Sequence, residues 1–250
     1  MASSRKWILD PRAWVEAFAL VNLGFLAPDI YMAHSTNLFR EWPEHIPYYF
    51  SMAAPAVLLA GAIALWLGAA RVWKWLGYTV GWASVVVGVA GLIWHLSGRF
   101  FYENTLQSLV YTAPFAAPLS YTGIGLLLIL NRMVDVESVE WPMSVLLLAL
   151  GGFVGNFIFS VADHAQNGFY HSTEWIPVAA SAFGVGFLLV PFVVRVNRAY
   201  LAVCAIVLVL QAGVGLLGFW FHNEANLRGP SPERFDNFVY GDGPCRFASV

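Results

Sequence analysis

The chain has few charged residues. Only 11% of its 250 residues are Asp, Glu, Lys or Arg, whereas soluble domains contain about 25%. Hydrophobic residues make up 59% and aromatic residues 16%. A water-soluble domain of this composition would expose too much apolar surface. The composition therefore excludes a soluble globular protein and indicates an integral membrane protein.

The sequence also lacks an excess of positive charge and a set of cysteines. The chain has thirteen Lys and Arg residues and fifteen Asp and Glu residues, which gives a net charge of −2. This balance provides no basic surface for binding nucleic acid. The two cysteines, Cys204 and Cys245, lie in an apolar run and in the C-terminal tail. They are too few for a disulfide framework or a thiolate metal site, and they do not favour a thiol-based redox enzyme.

Seven stretches are long and apolar enough to cross a bilayer, whose hydrocarbon core of about 30 Å needs ~20 helical residues. They cover residues 13–33, 47–68, 76–97, 107–131, 142–163, 174–194 and 200–221. The sequence thus predicts an all-α integral membrane protein, one membrane domain over residues 1–250 with the lipid bilayer as its partner. We expect its glycines to allow close helix packing, namely Gly123, Gly125, Gly151, Gly152, Gly155, Gly184 and Gly186.

The basic residues of the connections predict the orientation, because Lys and Arg favour the cytoplasmic side. Eight fall on the side of the N-terminus: Arg5, Lys6, Arg12, Arg71, Lys74, Arg132, Arg195 and Arg198. Five fall on the other side: Arg40, Arg99, Arg228, Arg234 and Arg246. This bias predicts a cytoplasmic N-terminus and an extracytoplasmic C-terminus, in a multi-pass protein of a bacterial-type inner membrane or a plasma membrane.

A repeat of about 60 residues marks the ends of the odd-numbered helices. At each end a His is followed three positions later by a small or amide residue and five positions later by an apolar one; the four are His34, His95, His164 and His222. The repeat predicts tandem two-helix units at 13–68, 76–131 and 142–194, and an unfinished fourth at 200–250. Residues 241–250 are too short and polar to cross the membrane, so we expect residues 223–250 to form an extracytoplasmic tail.

Four histidines at equivalent positions near the outer surface predict a metal or haem site. Ionisable groups at membrane depth usually face the interior of a helix bundle, so we expect His34, His95, His164 and His222 to converge. Imidazole with carboxylate suits Fe or Cu best, and Zn is possible, while the lack of thiolates argues against an iron–sulfur cluster. The alternative is haem b held between two facing histidines, such as His95 with His164 or His34 with His222.

Carboxylates also occur near the predicted outer ends of the helices. Glu103 and Glu174 are the candidate catalytic residues, acting in proton transfer at such a site. Asp163 directly precedes His164, and we expect the two side chains to face different ways because they are neighbours in sequence. The expected carboxylate partner of His164 therefore comes from another hairpin.

Histidines at the membrane surface can also be plain anchors at the level of the lipid headgroups, and a repeat copies an anchor as readily as a ligand. We favour the anchor interpretation for His45 and His171, which lie in polar loops outside the register of the repeat. The sequence has no His-x-x-x-His or His-x-x-His-His pair of the kind that membrane desaturases carry, and it indicates no family.

Three functions remain open. The first is a membrane metalloprotein with an extracytoplasmic site. It would be an oxidoreductase or oxygenase that acts on a lipid-soluble substrate, or alternatively a haem-binding electron-transfer subunit. The second is a non-catalytic accessory or scaffold subunit of a larger membrane complex. The third, a transporter, fits the repeats and the prolines within helices, but few charged groups occur near mid-membrane. We favour the first and place the second next.

Overall fold

The computed structural model describes residues 10–35, 38–98, 100–105, 116–166 and 168–228, and within them the chain forms helices and turns without a strand. The long helices are α1 (Pro11–Ser35), α2 (His45–Trp66), α3 (Ala70–His95), α4 (Leu119–Met133), α5 (Glu140–Gln166), α6 (Trp175–Val193) and α7 (Arg198–Leu227). Two 3-10 turns, Trp42–Glu44 and Ser172–Glu174, lead into α2 and α6, and one helical turn covers Phe100–Glu103. Residues 107–115 of the predicted fourth span and residues 229–250 of the predicted tail lie outside the described residues.

Among the described residues, six helices are long and apolar enough to cross a membrane. The prediction of an all-α, multi-pass membrane protein is therefore confirmed. The remaining helix, α4, has 15 residues. At a rise of 1.5 Å per residue it extends over about 22 Å, which is less than the hydrocarbon core of a bilayer. A seventh span stays a prediction.

The third span begins earlier than the sequence predicts, at Ala70 rather than at residue 76. Arg71 and Lys74 lie in the first turns of α3, where their side chains are exposed. Long basic side chains can occupy the end of a membrane helix because their apolar stems lie along it while the charged groups reach the headgroups. These two charges therefore belong to the end of a helix rather than to a loop.

The helices pack into two compact units. The first contains α1 to α4 and the start of α5 as far as Val145. The second contains the rest of α5 from Leu146, α6 and α7, together with Gly98 and the described residues 100–105.

The core of the first unit lies among α1, α2, α3 and α4. Its buried side chains are Ala19, Leu23, Ala54, Leu58, Val80, Tyr121, Ile124 and Leu128. The Tyr121 hydroxyl donates a hydrogen bond to the Pro47 carbonyl at 3.2 Å and lies 2.5 Å from the Ser51 hydroxyl, so the buried phenol has polar partners. These bonds join α4 to the first turns of α2.

Close glycine packing joins α3 to α4. A Cβ atom on Gly125 would lie 2.5 Å from the Gly81 carbonyl oxygen, and one on Gly88 would lie 2.6 Å from the Thr122 nitrogen. The expected role of glycine in packing thus holds at Gly125. It holds also at Gly184, where a Cβ would meet the Phe153 ring. At Gly123, Gly151, Gly152, Gly155 and Gly186, no described atom lies within 4 Å of that position.

A buried ionic network closes the other end of the first unit. The Arg132 guanidinium pairs with the Glu16 carboxylate and lies 3.9 Å from the centre of the Trp73 ring. The Asn131 amide donates to the same carboxylate at 3.0 Å, and Gly77 leaves the space that the guanidinium fills. Arg132 is only 7% exposed, so the prediction that it is a charge of a connecting loop is wrong. Without Arg132 the basic residues divide seven to five between the two sides of the membrane.

Polar side chains of α7 join that helix to α6 in the second unit. The Tyr200 hydroxyl donates to the Phe187 carbonyl at 2.9 Å, and the Gln211 amide donates to the Ala180 carbonyl. Each bond satisfies a carbonyl of α6 from a side chain of α7, an arrangement that suits helices in an apolar solvent.

Candidate metal centre

A reversal of the chain after α5 brings a carboxylate back to the end of that helix. Gly168 and Phe169 adopt left-handed backbone conformations, with φ of 61° and 53°. The Phe169 N–H donates to the His164 carbonyl at 3.1 Å, which ends the helix in the manner of a glycine C-cap. The 3-10 turn Ser172–Glu174 follows at once and places Glu174 beside His164.

Three potential metal ligands meet in the second unit. Asp163 and His164 at the end of α5 and His222 on α7 each offer one ligand atom, and these atoms lie within 4.8 Å of one another. The two imidazole rings are nearly parallel, with an interplanar angle of 26° and centroids 6.2 Å apart. Asp163 and His222 are exposed and His164 is half-buried, and the spacing of the three ligand atoms is compatible with a metal ion.

The expectation that Asp163 faces away from His164 is wrong. Successive helical residues differ by about 100° around the helix axis. Both residues lie in the last turn of α5, and their side chains still place ligand atoms within 4.8 Å of each other. Sequence reasoning therefore missed Asp163 as a member of the cluster, although the Asp-His pair itself is visible in the sequence.

Glu174 supplies a further carboxylate next to His164. Its Oε2 lies 3.9 Å from His164 Nδ1, and its Oε1 accepts a hydrogen bond from the His171 backbone N–H at 3.3 Å. Oε2 is buried and has no hydrogen-bond partner among the described residues. A buried carboxylate oxygen without a partner is costly, so this atom is suited to accept a proton or to bind a cation.

A second His/Glu pair lies in the first unit. His34 Nδ1 is 3.8 Å from Glu44 Oε1, and both side chains are largely buried. The His95 ring, at the end of α3, has its centroid 6.4 Å from that of His34, at an interplanar angle of 65°. The Glu44 Oε2 atom is buried without a hydrogen-bond partner among the described residues.

The structure thus brings together His34 with His95 and His164 with His222. The two pairs belong to different units, so the predicted convergence of all four on one site stays a prediction. Each haem pair suggested by the sequence, His95 with His164 or His34 with His222, would take one histidine from each unit.

The other candidate residues lie in exposed turns or in aromatic contacts. Glu103 is exposed at the end of the turn Phe100–Glu103, and its catalytic role stays a prediction. The His45 ring stacks on Phe39 with centroids 5.0 Å apart, and the His171 ring packs edge-on against Tyr170.

The donor set determines which ions fit the cluster in the second unit. Two imidazoles and neighbouring carboxylates suit Fe, Cu, Mn or Zn, whereas a site for Mg or Ca would consist of oxygen ligands. Cys204, the described cysteine, is buried near the Phe187 carbonyl and is not part of the cluster.

No family model matches the chain, and comparisons with curated proteins and with solved structures find no similar protein. The fold and the site define the class instead: an all-helical, multi-pass membrane protein with a His/Asp cluster that can bind a metal ion.

Proposed function

We propose that this protein is a membrane metalloprotein whose metal is held in the second unit by Asp163, His164 and His222. The observation that carries the proposal is the approach of three ligand atoms from two helices to within 4.8 Å of one another. Iron or copper fits these nitrogen and oxygen donors best, and zinc fits them as well.

Glu174 is the proton-transfer group of the proposed centre. Its buried Oε2, which has no hydrogen-bond partner among the described residues, lies 3.9 Å from His164 Nδ1. The hydrogen bond from the His171 backbone N–H holds the other oxygen, so the carboxylate has a fixed orientation.

The proposed activity is that of an oxidoreductase or oxygenase with a lipid-soluble substrate. The cluster lies near the ends of α5 and α7, two helices that are long and apolar enough to cross a membrane, so the substrate that we propose is one dissolved in the bilayer. A metal at this position would supply Lewis-acid or redox chemistry, and the carboxylates would accept or deliver protons. A variant of this proposal is an electron-transfer subunit that binds haem b. An absorption spectrum of the purified protein would detect the haem.

The membrane topology that we propose has seven spans in tandem hairpins, forming one membrane domain, with the N-terminus in the cytoplasm. The site then lies on the extracytoplasmic side of a bacterial-type inner membrane or a plasma membrane. The seven-to-five division of basic residues supports this orientation.

The proposal is tested by the metal content and absorption spectrum of the detergent-purified protein. We expect the wild type to bind a transition metal in stoichiometric amount, and we expect His164→Ala and His222→Ala each to lose the metal of the second unit. His45→Ala and His171→Ala are matched controls, which should bind as much metal as the wild type. A wild type without metal or haem, or metal content unaffected by both site variants, would overturn the proposal.

A non-catalytic accessory subunit is the second candidate. Helices α5 and α7 expose large apolar side chains along their length, among them Leu147, Ile158, Val209 and Leu216. Lipid or another membrane subunit would cover such a surface. A protein that binds no metal but copurifies with a membrane partner would favour this function.

A further inference from the structure

The first unit contains a close counterpart of the segment that builds the centre of the second unit. Residues 34–47 and residues 164–177 share the pattern His-x2-Asn-x-Phe-x4-Glu-x-Ile-Pro. In each segment the pattern begins with a histidine that lies near a second histidine, His95 in the first unit and His222 in the second.

The described residues of the two segments also share their backbone conformation. Leu38 and Phe39 have left-handed φ values of 58° and 49°, as Gly168 and Phe169 do in the second unit. The Phe39 N–H donates to the His34 carbonyl at 3.2 Å, and a 3-10 turn ending at Glu44 follows.

This turn is strained in the first unit. A left-handed conformation is unfavourable for a residue with a side chain, and glycine avoids that cost. Leu38 stands in the first unit where the second unit has Gly168. Strain of this kind is found chiefly where a side chain must be held in a set position. Here the turn holds Glu44 against His34.

The side chains complete the correspondence. The His34 to Glu44 distance is 3.8 Å and the His164 to Glu174 distance is 3.9 Å. In both glutamates Oε2 is buried without a hydrogen-bond partner among the described residues. The side chains of His34 and Glu44 are 17% and 15% exposed, so water reaches them poorly. A cation or a proton at Glu44 Oε2 would remove the cost of burying this oxygen without a partner among the described residues.

We infer that the first unit holds a second metal centre, with His34, Glu44 and His95 as the ligands of one divalent transition-metal ion. Two imidazoles and one carboxylate with open coordination positions form the ligand set of non-haem iron(II) sites. The inference extends the proposed function from one centre to two and rests on it for the class of metal. Each compact unit then has its own centre, in place of a single ring of four histidines.

The side chains must move closer together to share a metal ion. With a metal–nitrogen bond of about 2.1 Å and about 1.2 Å from nitrogen to ring centre, two imidazoles in adjacent positions on one metal have centroids about 5 Å apart. The centroids of His34 and His95 are 6.4 Å apart, so one or both rings must rotate when the metal binds. Glu44 Oε1 lies 3.8 Å from His34 Nδ1.

The two centres differ by one carboxylate. Ala33 stands before His34, whereas Asp163 stands before His164. The first centre therefore has three protein ligands and one negative charge, and the second has an additional carboxylate available. Since each anionic ligand favours a divalent cation, we expect the first centre to release its metal at a lower chelator concentration.

The test counts metal ions per chain in the purified full-length protein, loaded with Fe(II) without oxygen and, in parallel, with Zn(II). We expect two ions in the wild type, one in His95→Ala, one in His222→Ala and none in the double variant. Glu44→Gln changes few atoms and should also reduce the count to one or weaken the first site at least tenfold. Glu41→Gln, three residues earlier in an exposed position, is its control and should keep two ions.

The outcomes separate the two proposals. One ion that is lost in both His95→Ala and His222→Ala would indicate a single ring of histidines and would overturn the second centre. One ion that is lost only in His222→Ala would leave the proposed function in place and remove the second centre. No bound metal in the wild type would refute both. If His95→Ala fails to fold, the metal count of Glu44→Gln tests the first centre instead.

Discussion

Glu16 and Arg132 form an ion pair in the interior of the first unit, at the end away from the histidines. Their side chains are 11% and 1% exposed, and Asn131 adds a hydrogen bond to the carboxylate. Removing two charges from water costs several kcal/mol per ion, and their mutual attraction offsets this only while both are present. The pair therefore contributes to stability mainly because each charge neutralises the other.

Glu16→Gln should destabilise the fold by about 3–5 kcal/mol, because it leaves the Arg132 guanidinium buried without a counter-charge. The substitution keeps the shape of the side chain, so packing changes little. Thermal or denaturant unfolding in detergent measures the effect. Glu137→Gln, in the exposed loop after α4, is the control and should unfold like the wild type. Equal stability of Glu16→Gln and wild type would show that the pair is dispensable.

The residues of the candidate centre could be predicted only in part. His164 and His222 were found because a histidine recurs at the ends of the odd-numbered helices, and Glu174 because it lies close to those ends in the sequence. Neither signal needs knowledge of packing. Asp163 was missed, since the direction of a side chain at a helix end depends on its rotamer and not on its place in the sequence. Glu16 and Arg132 were missed because contacts between residues so far apart along the chain leave no pattern in a single sequence.

Helices α3 and α4 approach each other through glycines. The backbone at Gly81 lies so near Gly125 that a side chain at either position would meet its neighbour. Small residues at such crossings allow close van der Waals packing, which is a main source of helix association in lipid.

Gly125→Ala should destabilise the first unit by about 1–3 kcal/mol, because the new Cβ must displace backbone rather than a flexible side chain. Gly123→Ala is a matched control in the same helix, where nothing among the described residues lies within 4 Å. It should be neutral or stabilising by up to about 1 kcal/mol, since alanine is the better helix former. Unfolding curves of the two variants measure the difference, and the opposite order would contradict this packing.

The helices themselves were largely predictable. Runs of about 20 apolar residues have few alternatives to a membrane helix, so the six long spans follow from composition and length. Their ends were less predictable, because Arg71 and Lys74 read as loop residues and lie within α3. The sequence also did not reveal which glycines touch a neighbouring helix, since Gly123 and Gly125 look alike without the structure.

At the scale of the whole molecule, the histidines fall into two pairs, one in each compact unit. The sequence repeat predicted that the four positions are equivalent, and it did not reveal which helix ends approach each other. His34 at the end of α1 lies near His95 at the end of α3, and His164 at the end of α5 lies near His222 on α7. A period read along the chain does not show which of the equivalent positions lie near one another.

The proposed topology predicts which exposed positions can be labelled from each side of the membrane. Single cysteines at Tyr102 and Glu137, in a chain with Cys204→Ala and Cys245→Ser, should react with a membrane-impermeant maleimide on opposite sides. Tyr102→Cys should be labelled on intact cells and Glu137→Cys only after permeabilisation, because the fourth segment crosses between them. Labelling of both positions from one side would mean that the fourth segment does not cross, and the reverse pattern would invert the orientation.

X-ray absorption at the edge of the bound metal tests the metal centres most directly. We predict a shell of nitrogen and oxygen ligands at about 2.0–2.2 Å with the scattering pattern of two imidazoles per metal and no sulfur. The double variant His95→Ala/His222→Ala should lose the imidazole signal altogether. A metal surrounded by oxygen alone, a sulfur ligand, or imidazole scattering retained in the double variant would contradict the His/carboxylate centres.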